Sequence, residues 1–181
     1  MNIIFDILLL LGLVGGLIIG LRRGFVRMIL STISLLLAMA FAALLATPLV
    51  GIFVRESGSQ SETPIGIVFA GLLLAIYFIL EALLRNSFPD TRIRAIRSAD
   101  NILGFVMSSG WTLLALTLLV LVVAYGVFAV TGAANTGAIG AWATSSNLVA
   151  FLRKFFTLPV GLMRFLFPGG LPQPLAFFAA G

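Results

Sequence analysis

The chain has 181 residues, of which 61% are hydrophobic and only 9% are charged, and its mean hydropathy is +1.20. A typical soluble domain carries about 25% charged residues, so this composition excludes an ordinary soluble protein and predicts an integral membrane protein. Eleven lysines and arginines face six acidic residues, and the absence of cysteine and histidine excludes disulfides, thiolate metal sites and histidine-based catalysis.

Four apolar segments are each long enough to cross a bilayer, which requires about 20 residues. They lie near residues 3–21, 27–50, 65–84 and 102–130, the second ending at Thr47-Pro48 and the third opening after Pro64. The sequence therefore predicts an all-α fold, a polytopic membrane bundle with a four-helix transmembrane domain over residues 1–130. No basic residue precedes the first segment, which carries Asp6, so we interpret it as a retained helix and not as a signal peptide.

Glycines recur every fourth residue along the first segment, in the stretch GLVGGLIIGLRRG at 12–24. Gly12, Gly16 and Gly20 predict a helix-packing face, because small residues let helix backbones approach closely in lipid. A second stripe of small residues lies in the fourth segment, at Gly104, Ser108 and Thr112. The two stripes predict close helix packing, within the chain or with another membrane protein.

A short turn follows the glycine row. Arg22, Arg23, Gly24 and Phe25 form it, and Gly24 supplies the permissive backbone that a tight turn requires. Basic residues concentrate here and in the third connection, which carries Arg85, Arg92, Arg94 and Arg97, whereas the second connection has one arginine and the fourth has none. The positive-inside rule therefore predicts a bacterial inner-membrane protein whose N-terminus and C-terminus both lie outside the cytoplasm.

Residues 131–181 form a separate extracytoplasmic region. An uncharged connection at 131–146 leads into a segment with Ser145 or Ser146 as its predicted N-cap. Its apolar residues recur at helical spacing, at Leu148, Phe151, Leu152, Phe155 and Phe156. A fifth membrane span would bury Arg153 and Lys154 at a cost of about 2.5 to 3.5 kcal/mol each, so we favour an amphipathic helix in the outer interface. Pro159 interrupts this spacing, and a shorter repeat follows at Leu162, Arg164, Phe165 and Leu166. The Pro/Gly-rich end at 168–181 is predicted to be irregular.

Three acidic residues stand at the ends of the predicted spans. Asp6 is either a carboxylate in the first helical turn at the outer interface or a proton or cation site facing the bundle. Glu81 and Arg85 are four residues apart, which predicts an ion pair along the third helix. Asp100, with Asn101, is predicted to cap the fourth helix or to meet arginines of the cytoplasmic connection.

The stretch FDILLLLGLVGGLIIGLRRGFVRMILSTISLLLAMAFA, at 5–42, resembles the opening of the colicin V production protein (CvpA) family. The family's aspartate corresponds to Asp6, and its Gly-x-Arg-x-Gly-Phe-Val turn corresponds to residues 20–26. Residues 98–116 and 145–159 resemble its last span and its periplasmic helix, whereas the Pro-Gly-Phe ending departs from the family's more charged or longer tail. The resemblance implies a four-span inner-membrane protein linked to colicin V export and envelope homeostasis, with no established catalytic activity.

Two functional hypotheses remain. The sequence contains no catalytic constellation and no phosphate-binding loop, which predicts a non-enzyme without cofactor, nucleic-acid partner or evident small-molecule substrate. The first hypothesis is a scaffold or accessory subunit that lies in the lipid bilayer and packs with itself or with other membrane subunits. The alternative is a small transporter or channel component in which Asp6, Glu81 and Asp100 border a polar path.

Overall fold

The computed structural model describes residues 2–57, 63–88, 97–131 and 145–172. Within these ranges the chain forms five helices and no strand: α1 (Asn2–Arg23), α2 (Phe25–Ser57), α3 (Thr63–Ser87), α4 (Arg97–Thr131) and α5 (Asn147–Leu166). Each of the first four contains a stretch long and apolar enough to cross a membrane. The predicted all-α membrane bundle is therefore confirmed, while most of the uncharged connection, the end of the Pro/Gly-rich tail, and Arg92 and Arg94 lie outside the described residues.

Three prolines lie within the five described helices. Pro64 stands in the first turn of α3, where no intrahelical hydrogen bond is lost. The prediction that the second span ends at Thr47-Pro48 is wrong, because α2 continues through Pro48 to Ser57. Pro159 likewise lies inside α5, so the apolar spacing on either side of it belongs to one helix. A proline removes one backbone hydrogen bond, whereas ending a helix in an apolar surrounding would leave several polar groups unsatisfied.

Helix α4 is the central element of the bundle, because it packs against all four other helices. The main core lies where α2, α3 and α4 meet. Small side chains of α2, at Ala38, Ala42 and Ala46, are fully buried there and let the large side chains of the neighbouring helices come close, among them Phe69. Helix α1 makes little contact with α2, although only Gly24 separates them, and instead packs along α4.

Helix α5 buries one face against the bundle. The buried side chains are spaced by three or four residues, which places them on one stripe of a helix: Val149, Leu152, Phe156, Val160 and Met163. Val149 and Leu152 pack with Leu9 of α1 and Val120 of α4, and the later residues of the stripe join the main core. The apolar face of the predicted amphipathic helix is therefore packed against the other helices of the bundle.

Candidate functional site at the α1–α2 turn

The stripes of small residues on α1 and α4 face each other and form a tight antiparallel contact, which we call the glycine seam: Gly12, Gly16, Gly20, Gly24, Gly104, Ser108, Thr112 and Leu116. A Cβ atom added at Gly16 would lie 2.8 Å from the Cβ of Thr112, and one added at Gly20 would lie 2.8 Å from the carbonyl oxygen of Gly104. The seam holds α1 against α4 within one chain, so these glycines are not free to contact a second protein.

Gly24 ends one helix and begins the next. Its φ angle of +83° lies in the left-handed region, which favours glycine because a side chain would be strained there. Its N–H donates to the carbonyl oxygen of Gly20 at 3.2 Å, and its own carbonyl oxygen accepts from the N–H of Met28 at 3.2 Å. One residue therefore closes α1 and opens α2.

Asp100 reaches this turn from α4. Its side chain is buried, and its Oδ1 accepts a hydrogen bond from the backbone N–H of Phe25 at 3.0 Å, while Oδ2 lies against Gly24. The first N–H groups of a helix lack partners within the helix, and Gly24 has no side chain to offer one. Asp100 therefore caps α2 from a different helix, which corrects the prediction that it caps its own helix.

Glu81 binds the other side of the same turn. Its Oε1 accepts from Arg27 at 2.9 Å and from Arg23 at 3.4 Å, and its Oε2 accepts from the hydroxyl of Ser31 at 3.0 Å. The predicted pair with Arg85 is wrong: the ion pairs of Glu81 among the described residues are those with Arg23 and Arg27, and Arg85 is exposed. Arg27 and Ser31 lie one turn apart on α2, so they meet the same carboxylate.

Asp6 lies at the opposite end of the bundle. Its Oδ1 accepts a hydrogen bond from the hydroxyl of Ser146 at 2.7 Å, and the same hydroxyl caps α5 by accepting from the N–H of Val149 at 3.3 Å. Because α1 begins at Asn2, Asp6 is not in the first turn as predicted. The carboxylate lies near the N-terminus of α5, where its negative charge interacts favourably with the dipole of that helix.

The three acidic residues therefore form two separate groups. Glu81 and Asp100 hold the α1–α2 turn from two sides, in a site that we call the turn clamp, with Arg23, Gly24, Phe25, Arg27 and Ser31 as its other members. Arg22 lies beside it and is exposed. Asp6 hydrogen-bonds to Ser146 at the far end.

The sequence did not identify Ser31 as a partner of Glu81, although its position four residues after Arg27 was a usable signal. No group of three metal-ligating side chains occurs in the part of the chain that the structure describes.

Replacing Asp100 by alanine is expected to lower the stability of the bundle by about 1–2 kcal/mol, because the partly buried backbone N–H of Phe25 loses its acceptor. Asp100→Asn keeps an acceptor oxygen and should lose less. Thermal unfolding in detergent measures the difference, with Asn101→Ala as the control on the same helix. Equal stability of the alanine variant and the unchanged protein would contradict the trans-helix cap.

Comparison with known proteins gives one family and no individual relative. Residues 5–156 match the family model described as Colicin V production protein. No curated protein matches the chain, and no solved structure does. The matched region includes the glycine seam, the turn clamp and the Asp6–Ser146 bond.

Proposed function

The chain belongs to the colicin V production protein family, and on that basis we propose that it is a non-enzymatic scaffold or accessory subunit of a membrane assembly that serves toxin export or envelope homeostasis. The four apolar helices and the family make it a multi-pass membrane protein. The family is not a known enzyme family.

One observation carries the proposal: the acidic groups of the bundle bind partners at its two ends, and the section of the described helices between them contains no charged side chain. Residues 7–21, 28–54, 64–80 and 101–131 contain no charged side chain. Asp6 is bonded to Ser146 at one end, and Glu81 and Asp100 bind the turn at the other. A proton or ion path commonly uses ionisable side chains at intermediate depth, and none occurs in these segments. This arrangement favours a structural role over the transporter alternative.

The glycine seam cannot supply the contact with a partner, because it is filled within the chain. An outward surface on α3 is available instead: Gly71 and Ala75 are four residues apart and both exposed, and a Cβ at Gly71 meets nothing within 4 Å. Small residues at this spacing let a second transmembrane helix approach closely. We therefore place the partner contact of the proposed scaffold on the Gly71–Ala75 face.

We also propose a bacterial inner membrane as the location, with the turn clamp on the cytoplasmic side. Arg22, Arg23 and Arg27 lie at this end of the bundle, together with Arg85 at the end of α3. The positive-inside rule supports this orientation. Helix α5 and both chain termini then belong to the outer side.

Gentle detergent purification of the tagged protein from its native membrane should yield a discrete partner in fixed ratio. Gly71→Ile should reduce the recovered partner several-fold, because the larger side chain keeps the second helix away from the α3 backbone. Gly51→Ile is the matched control, since Gly51 is also exposed and a Cβ there also meets nothing within 4 Å. Quantitative mass spectrometry of the eluate measures both variants.

Two outcomes count against this proposal. Equal recovery of the partner with Gly71→Ile and Gly51→Ile would refute the α3 contact. Ion or solute flux through vesicles containing only this protein, abolished by Asp6→Asn, would support the transporter alternative. Asp6→Asn is the suitable variant because asparagine still accepts the hydrogen bond from Ser146 while the charge is lost.

A further inference from the structure

Helix α5 carries a second apolar face besides the stripe that it buries against the bundle. We call this second face the outer stripe: Phe151, Phe155, Leu158, Leu162 and Phe165. Its residues are spaced alternately by four and three, which keeps them on one line along the helix. Phe165 is 88% exposed and Leu158 is 66% exposed, so the outer stripe is not covered by the described part of the chain.

The remaining face of α5 is cationic. It carries Arg153, Lys154 and Arg164, and the helix contains no acidic residue. All ion pairs among the described residues belong to Glu81, so the three cations pair with none of these residues. At about 100° per residue, the buried stripe, the outer stripe and the cations are centred roughly 100–140° apart around the helix.

Helix α5 packs against the bundle inside the ends of the apolar spans, on the side away from the turn clamp. Leu9, which packs with Val149 and Leu152, lies six residues inside the span Ile3–Arg23, or about 9 Å at a rise of about 1.5 Å per residue. Thr117 donates to the carbonyl oxygen of Leu152 at 3.4 Å and lies in the last turn of the span Ala99–Val120. Acyl chains surround a membrane protein at this depth, so the outer stripe has lipid as its neighbour.

The charge of α5 distinguishes between a lipid and a second copy of the chain as the occupant of this surface. Lys154 borders the outer stripe, and two copies joined through their stripes would bring the cations of both helices together without an acid on α5 to pair with them. An anionic phospholipid offers apolar chains to the stripe and a negative headgroup to the cations.

We propose that α5 selects anionic phospholipids: the outer stripe lies among their acyl chains, and Arg153, Lys154 and Arg164 bind their phosphates. Phosphatidylcholine also carries a phosphate, but its choline group is a cation and repels these side chains. Anionic lipids are therefore enriched around this end of the bundle. The selection depends on the side chains of α5 alone, so it requires neither the scaffold role nor a particular orientation of the chain in its membrane.

The first test locates the outer stripe. The chain has no cysteine, so one introduced cysteine carries a single fluorophore. Leu158→Cys places the fluorophore on the outer stripe, and Thr157→Cys is the matched control, because Thr157 is the preceding residue, is also exposed and lies on the cationic face. In vesicles whose lipids carry bromine on the acyl chains, the fluorophore at position 158 should be quenched more strongly than the one at position 157.

The second test measures the selection of lipid charge. The Leu158→Cys protein is placed in equimolar phosphatidylglycerol and phosphatidylcholine, with only one of the two lipids brominated in each sample. Brominated phosphatidylglycerol should quench at least about twofold more strongly. Replacing Arg153, Lys154 and Arg164 by glutamine should bring the ratio close to one, whereas Arg85→Gln, an exposed arginine at the other end of the bundle, should leave it unchanged. Added salt should lower the ratio of the unsubstituted helix, because it screens the cations.

Three outcomes would overturn the proposal. Equal quenching at positions 157 and 158 would show that the outer stripe does not face the acyl chains. A ratio of one for the two brominated lipids, or a ratio that survives both the glutamine substitutions and added salt, would show that the cations of α5 select no lipid. Quenching at position 158 that appears only after dilution to single copies per vesicle would assign the outer stripe to a second copy of the chain.

Discussion

Replacing Gly20 by alanine is expected to destabilise the bundle by about 1–3 kcal/mol, the cost of inserting a methyl group into a closely packed contact. The new Cβ would overlap the side chain of Ser108 and lie 2.8 Å from the backbone carbonyl oxygen of Gly104. Backbone atoms cannot move aside as a flexible side chain does. The effect opposes helix propensity, which by itself favours alanine over glycine by about 1 kcal/mol.

The seam predicts a graded series of effects. Gly12→Ala should cost little, because its new Cβ lies 3.0 Å from the end of the flexible Leu116 side chain, and Gly15→Ala should be neutral or slightly stabilising. The loss of stability caused by Gly16→Ala should be smaller when Thr112 is also replaced by glycine, because the atoms that the new Cβ overlaps belong to the Thr112 side chain. Thermal unfolding in detergent gives the order, and a Gly15→Ala variant as unstable as Gly20→Ala would refute the seam.

Replacing Glu81 by glutamine is the second substitution with a large expected effect. Arg27 keeps its charge with only 12% of its side chain exposed and loses the carboxylate at 2.9 Å that pairs with it. Removing one member of a fully buried ion pair costs about 3–5 kcal/mol, and for this partly exposed pair we expect about 2–4 kcal/mol. The contact with Arg23 adds little, since that side chain is 42% exposed and such pairs contribute about 0–1 kcal/mol.

Arg27 and Arg85 provide the matched comparison for this ion pair. Arg27→Gln should destabilise the protein, whereas Arg85→Gln on the exposed end of α3 should not. The double variant Glu81→Gln with Arg27→Gln should lose less stability than the sum of the two single losses, because it leaves no unpaired charge in the clamp. Unfolding measurements on the four proteins form a double-mutant cycle, and simple additivity would contradict the clamp.

These effects alter the choice of experiments on function. Gly16→Ile and Glu81→Gln look from the sequence like probes of partner contact and of transport. The structure places both residues inside the fold, where substitution changes stability first. Gly71 and Asp6 are better probes, because Gly71 faces outward and an asparagine at Asp6 preserves its hydrogen bond to Ser146.

The class of protein and its principal helices can be predicted from the order of residues along the chain. The run of apolar residues predicts four spanning helices because a bilayer core of about 30 Å requires about 20 of them, and this holds whatever the helices pack against. The spacing of apolar residues after Ser146 likewise predicts the amphipathic α5. These properties depend only on residues close together in the chain.

Which side chains meet depends on how the helices pack, and could not be predicted from residue spacing. Asp100 and Phe25 are 75 residues apart, Glu81 and Arg27 are 54 apart, and Asp6 and Ser146 are 140 apart. The i,i+4 rule pairs Glu81 with Arg85, but α2 brings two better-buried donors to the same carboxylate. Packing also explains why α2 and α5 continue through their prolines. In an apolar surrounding, ending a helix leaves several backbone groups unpaired, which costs more than the one hydrogen bond that a proline removes. Helix periodicity predicts the face of each helix, whereas the partner of that face depends on the packing of α1, α2, α3 and α5 around α4.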